Sequence, residues 1–151
     1  MSFLNPTDPL FPYLFPVFGI AMWLAATGVI AQISGWSRLG DKYSTDKQFP
    51  DNTKGFQSAT FGMTSYRSCI WLGCDQNGLY MKTGPLFFFC FRHPPLFIPW
   101  SAISEARPTK RLWVKFISLV VRDPDVTFAV PEGALKDSMR YLQDNNLLRS
   151  E

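Results

Sequence analysis

Four residues carry the strongest ligating chemistry in the chain: Cys69, Cys74, Cys90 and His93. Thiolate and imidazole are favoured zinc donors, and a structural site needs four of them in a tetrahedron. The spacing is Cys-x4-Cys followed by Cys-x2-His. The wider gap is at the loose end of the usual range, and Cys69 falls inside a predicted strand. The competing reading is therefore a set of small buried thiols. Three cysteines make a poor disulfide framework, and reduced thiols suit a cytoplasmic domain. His93 is the only histidine and precedes Pro94-Pro95. Nucleophilic or general-base chemistry needs further groups brought alongside it by the fold, and the sequence supplies no such constellation. A non-enzymatic protein without a cofactor is expected. The apolar N-terminal segment contains no histidine, so haem ligation by histidine there has no support.

A second group is cationic. Arg107, Lys110, Arg111 and Lys115 surround Pro108-Thr109. Near an anionic bilayer each such side chain is worth about 1 kcal/mol. The alternative is a solvated hairpin edge whose lysines discourage strand pairing between molecules. A third group, Trp36, Leu39 and Tyr43, is spaced by three and four residues. That spacing predicts one or two helical turns able to dock on a partner surface. Phe87, Phe88, Phe89, Phe91, Phe97 and Trp100 read as core more readily than as a ligand box.

The elements that must position these groups begin with a membrane segment. No charged residue lies between Asp8 and Arg38, and in residues 17–33 Gln32 is the only strongly polar member. A helix over residues 16–34 is about 28 Å long, enough for a hydrocarbon core of about 30 Å. Tyr13 and Trp36 fall near its two interfaces. A cleaved signal peptide would carry a basic leader, whereas no Lys or Arg precedes residue 38. Arg38, Lys42, Lys47 and Lys54 follow the helix, so the positive-inside rule puts the N-terminus outside and the C-terminal domain in the cytoplasm.

Beyond a polar connector over residues 35–56, the pattern over 57–151 is that of short strands. Residues 66–73 and 79–82 flank a turn containing Asn77-Gly78, which predicts a hairpin. Residues 86–91 form an apolar run, and His93-Pro94-Pro95 interrupts the ladder. Residues 96–100, 103–106, 112–121 and 126–130 are further strands, the last alternating Val126, Phe128 and Val130 with Thr127 and Ala129. Pro131 suits a first helical position, and Leu135, Met139 and Leu142 make one apolar stripe. Glu132 and Lys136 are spaced as an i,i+4 pair, and Asn145-Asn146 predicts the stop. The expected architecture is mainly β with a C-terminal α-helix, a pleckstrin-homology-like β-roll, plus one N-terminal transmembrane helix.

The net charge of +3 is too slight for a nucleic-acid binder, which would show a denser basic face. Membrane lipids and a membrane-protein partner are the expected contacts.

The segment Gly35-Trp36-Ser37-Arg38-Leu39-Gly40-Asp41-Lys42-Tyr43 resembles a G-W-x-x-L-x-x-x-Y motif found in a group of uncharacterised bacterial single-pass membrane proteins. Tyr66-Arg67-Ser68-Cys69, Gly78-Leu79-Tyr80 and the stretch from His93 to Trp100 are similar to that group's later signatures. The Ile98-Pro99-Trp100 step is similar to a strand end in bacterial pleckstrin-homology-like domains. The resemblance implies a membrane segment before the motif and a GRAM-like roll after it, and implies no activity. Gly40 departs from the alanine expected at its position.

Overall fold

A computed structural model describes residues 7, 9–84 and 92–148. The expected strand over residues 86–91, the aromatic residues within it and Cys90 lie outside the described residues.

Helix α1 spans Phe11–Ser34, 24 residues with mean hydropathy 2.0 over its most apolar window. At about 1.5 Å per residue it is roughly 36 Å long, so it is long and apolar enough to cross a membrane. Tyr13, Phe15, Val17, Phe18, Met22 and Ile33 are exposed along it, as lipid-facing side chains would be. Pro16 sits inside the helix, one turn beyond its start. Towards the C-terminal end one face turns inward: Thr27, Gly28, Ala31 and Ser34 are buried. The helix stops at Gly35, whose φ of 83° is left-handed. A side chain there would be strained by the backbone and would also meet Val126 Cγ2 at 3.1 Å, so glycine satisfies both demands.

Helix α2, Trp36–Tyr43, follows at once. Seven strands come next: β1 Lys54–Phe61, β2 Thr64–Cys74, β3 Gly78–Thr83, β4 Leu96–Pro99, β5 Ile103–Arg111, β6 Val114–Val121 and β7 Val126–Pro131. They form one antiparallel sheet in the order β4-β3-β2-β1-β7-β6-β5. The sheet curls into a half-barrel, so that β1 pairs with β2 on one side and β7 on the other. This is the roll expected from the sequence.

Alternation sets the inner face. Ile117, Leu119 and Val121 of β6, and Val126, Phe128 and Val130 of β7, are all buried, while Thr127 is exposed. Two turns differ from expectation. The β2–β3 loop is built by Asp75, whose Oδ1 accepts from the backbone N–H of Asn77 at 2.7 Å and of Gly78 at 3.1 Å. An Asx turn thus replaces the Asn-Gly turn. The β5–β6 turn falls at Leu112-Trp113, with Arg111 paired to Val114. Leu112 and Trp113 therefore leave the expected strand, and β5 extends well past Ala106.

The C-terminal segment is tighter than a simple amphipathic helix. A 3-10 helix, Glu132–Ser138, leads into α3, Met139–Asp144. Leu135 and Leu142 are fully buried against the sheet. With three residues per turn, Glu132 and Lys136 are not stacked; Asp137 instead pairs with Lys54 at 3.2 Å. The helix ends where expected, with Asn146 left-handed at φ 53°. Leu147 and Leu148 then bond to Ala106, covering part of the edge that β5 would otherwise expose.

Candidate functional site

The connector is part of the core. Trp36 and Leu39 are 0% exposed and Tyr43 is half-buried. The Trp36 ring lies 5.2 Å from Phe61, 5.6 Å from Tyr66 and 5.5 Å from His93. Its indole N–H donates to the carbonyl of Pro94 at 3.0 Å. The expectation that Trp36 and Leu39 offer themselves to a partner is corrected here. The stripe is real, but the end of the half-barrel formed by β1, β2 and the His93-Pro94-Pro95 loop already occupies it. A buried indole also has its polar group satisfied, as such rings require. Gly40 belongs to the same packing, since an added Cβ would sit 2.6 Å from Pro94 Cγ.

A buried polar chain joins α1 to this plug. Ser34 Oγ and Tyr66 Oη are 2.9 Å apart, and Tyr66 Oη is 2.9 Å from His93 Nε2. Ser34 Oγ also lies 3.2 Å from the carbonyl of Ala31 and accepts from the backbone N–H of Trp36 at 3.3 Å. All three side chains are nearly inaccessible to water, at 3–4% exposure. Burial pushes the Tyr66 phenol above its ordinary range, partly offset by the Ser34 hydrogen bond and reinforced by Cys69. At the rim, Lys42 Nζ meets Asp123 Oδ2 at 2.5 Å and the Tyr43 hydroxyl donates to the Asp123 carbonyl at 2.6 Å. The joint between α1 and the domain is therefore packed and hydrogen-bonded, not a free linker.

The thiols do not assemble a metal site with His93. Cys69 and Cys74 are both on β2, five residues apart, or about 17 Å along an extended strand. Zinc–sulfur bonds of about 2.3 Å cannot bridge that gap. Cys74 lies near Asn52, whose Nδ2 is 3.8 Å from its sulfur, while His93 lies against Trp36 and Tyr66. Burial raises the Cys74 thiol pKa, with hydrogen bonds from Ser138 and Asn52 opposing and Asp137 and Asp75 reinforcing the shift. Among the described residues no three His, Cys, Asp or Glu side chains cluster as metal ligands. The four-ligand zinc expectation thus fails on geometry at Cys69, Cys74 and His93.

The basic group is on the hairpin of edge strand β5 with β6. Every residue from Arg107 to Lys115 is exposed. Arg107 pairs with Glu105 at 2.5 Å. Lys110 and Lys115 face each other across the hairpin, and among the described residues neither they nor Arg111 forms an ion pair. Sequence reasoning found these cations but missed Leu112 and Trp113 between them, which are 88% and 91% exposed. It also missed Ser34, Tyr66 and Asp123, because each meets its partner only through the fold. A concavity of about 400 Å³ beside the hairpin, with Thr60, Thr109, Ser118 and Thr127 in its lining, is open to solvent.

No protein-family model matches the chain, and no curated protein matches it.

Proposed function

We propose that the protein is a non-enzymatic, membrane-anchored interaction module, held as an accessory subunit on a membrane complex. The observation that carries this reading is the joint: Trp36, one residue past the C-cap of α1, is fully buried in the domain. An anchor fused rigidly to a β-roll gives the roll a fixed height and orientation at the membrane, which suits presentation of a surface to a neighbour. The side chains with reactive potential support the same reading. His93 and Tyr66 are enclosed and hydrogen-bonded to each other, and Cys74 is buried with its thiol held protonated. The basic residues that follow α1, with none before it, support a cytoplasmic domain. The resemblance of the segment from Gly35 to Tyr43 to a motif that follows a membrane segment supports the anchor reading of α1. Purification from native membranes in mild detergent tests the proposal: a stoichiometric complex is expected, and a lone monomer overturns it. Protease added to sealed inverted vesicles is expected to cut the domain; protection would reverse the orientation.

A further inference from the structure

We propose that the β5–β6 hairpin is a second membrane contact: Leu112 and Trp113 enter the interfacial layer of the bilayer that carries α1, while Lys110, Arg111 and Lys115 meet anionic headgroups. This rests on the reading of α1 as an anchor. Strand β7 ends at Pro131, paired with Phe116. The rungs Lys110–Lys115 and Arg111–Val114 therefore extend past the last β6–β7 rung. A projecting two-stranded ribbon gains little from water, yet this one ends in Leu112, Trp113 and Val114 at 88%, 91% and 49% exposure.

The turn chemistry points the same way. Leu112 has φ 53° in a two-residue hairpin turn, where glycine or asparagine is the unstrained choice. A leucine there is costly to the isolated hairpin and is explained by what the tip touches. A convex apolar tip needs a deformable medium, whereas a protein partner would need a matching pocket. Tryptophan favours the bilayer interface, and unpaired cations beside it complement anionic lipid. The buried face of α1 begins at Thr27, so the domain is pressed against the last turns of the anchor rather than hung below it. Val121 at the far end of β6 pairs with Val126, which touches Gly35. From there β6 runs about 24 Å to the tip end at Val114, so the proposal requires β6 to lie along the bilayer surface.

The test uses the full chain in nanodiscs of phosphatidylcholine alone or mixed equally with phosphatidylglycerol, each with and without brominated acyl chains. The emission of wild type minus Trp113→Phe reports Trp113. In anionic discs it is expected to be blue-shifted and quenched by bromine, and in neutral discs or high salt it is expected to behave as water-exposed. Joint reversal of Lys110→Glu and Arg111→Glu is expected to abolish the quenching, each charge being worth about fivefold in local affinity. All these positions are exposed, so circular dichroism is expected to be unchanged. Trp113 unquenched in anionic discs, or equally quenched in neutral ones, overturns the proposal. Quenching only by separate brominated vesicles overturns the assignment to the protein's own bilayer. A chain that never enters the discs overturns the anchor reading with it, and flotation distinguishes that failure.

Discussion

Ser34, in the last turn of the apolar helix, shares a 2.9 Å hydrogen bond with Tyr66 on β2, and the two are 32 residues apart in sequence. The phenol also meets His93 at 2.9 Å, so one hydroxyl ties α1, the sheet and the β3–β4 connection together. Buried polar groups are far more costly unpaired than they are stabilising when paired. Tyr66→Phe removes a bond from Ser34 and from His93 at once while keeping the ring. The expected loss is about 1–3 kcal/mol, a drop of roughly 3–10 °C in thermal midpoint for a domain of this size. A double-mutant cycle with Ser34→Ala checks the coupling; strictly additive losses would contradict a direct bond.

Tyr66 and Cys74 contribute to the response to alkali, alongside Tyr80, whose phenol pKa burial also raises. Burial is the leading cause of a raised pKa in all three. In the unfolded chain they titrate near their ordinary values, about 8.5 for the thiol and about 10 for the phenol. Above those values the folded state holds more protons than the unfolded one, so stability falls as pH rises. Below them the contribution is fully present. Denaturation midpoints are expected to be flat through neutrality and to decline from about pH 8.5 upward. Tyr66→Phe is expected to flatten the upper part of that decline. An unchanged slope in this variant would remove Tyr66 from the account.

The packing of α2 makes a sharp contrast between two of its positions, Trp36 and Lys42. Trp36→Ala empties a fully buried indole site, for which the expected cost is about 3–5 kcal/mol. That is a large share of the stability of an ordinary domain, about 5–15 kcal/mol. Trp36→Phe keeps most of the packing but loses the bond to Pro94, and is expected to cost about 1 kcal/mol or more. Lys42→Met, by contrast, removes an ion pair whose side chains are 46% and 79% exposed. Solvent screens such a pair, and no measurable shift in thermal midpoint is expected.

Much of the roll was legible because its signals are local. Alternation in Val126–Val130 marked an inward face, and the uncharged run before Arg38 marked the long apolar helix α1. The joint was less legible. The spacing of Trp36, Leu39 and Tyr43 reveals that one helical face will be covered, but the same spacing fits a partner protein or the chain itself. Nothing near Ser34 announces Tyr66 or His93, since those contacts span 32 and 27 residues. The hairpin tip was hidden for a different reason. Leu112-Trp113-Val114 has the composition of a buried strand, and its turn uses neither glycine nor asparagine. The Cys-x4-Cys spacing misled because it counts residues, while a strand converts that count into a distance no single metal can span.

The same joint decides where the domain can be cut from α1. A fragment covering 57–151 begins inside β1, which starts at Lys54, and lacks the two connector side chains that are 0% exposed, Trp36 and Leu39. Their absence opens a cavity larger than a single truncation leaves, so this fragment is expected to be unfolded or molten, with no cooperative melt. A fragment beginning at Gly35 keeps α2 and the Trp36–Pro94 bond but deprives Tyr66 of Ser34. It is expected to fold cooperatively and to melt below the intact chain by an amount close to that of Ser34→Ala. A fragment beginning at Gln32 restores Ser34 and is expected to recover most of the loss, although the Ala31 face is gone. Melting the three fragments side by side checks the order. If residues 57–151 alone gave the same cooperative transition as the fragment starting at Gly35, Trp36 and Leu39 would be ornaments on the roll rather than part of its core.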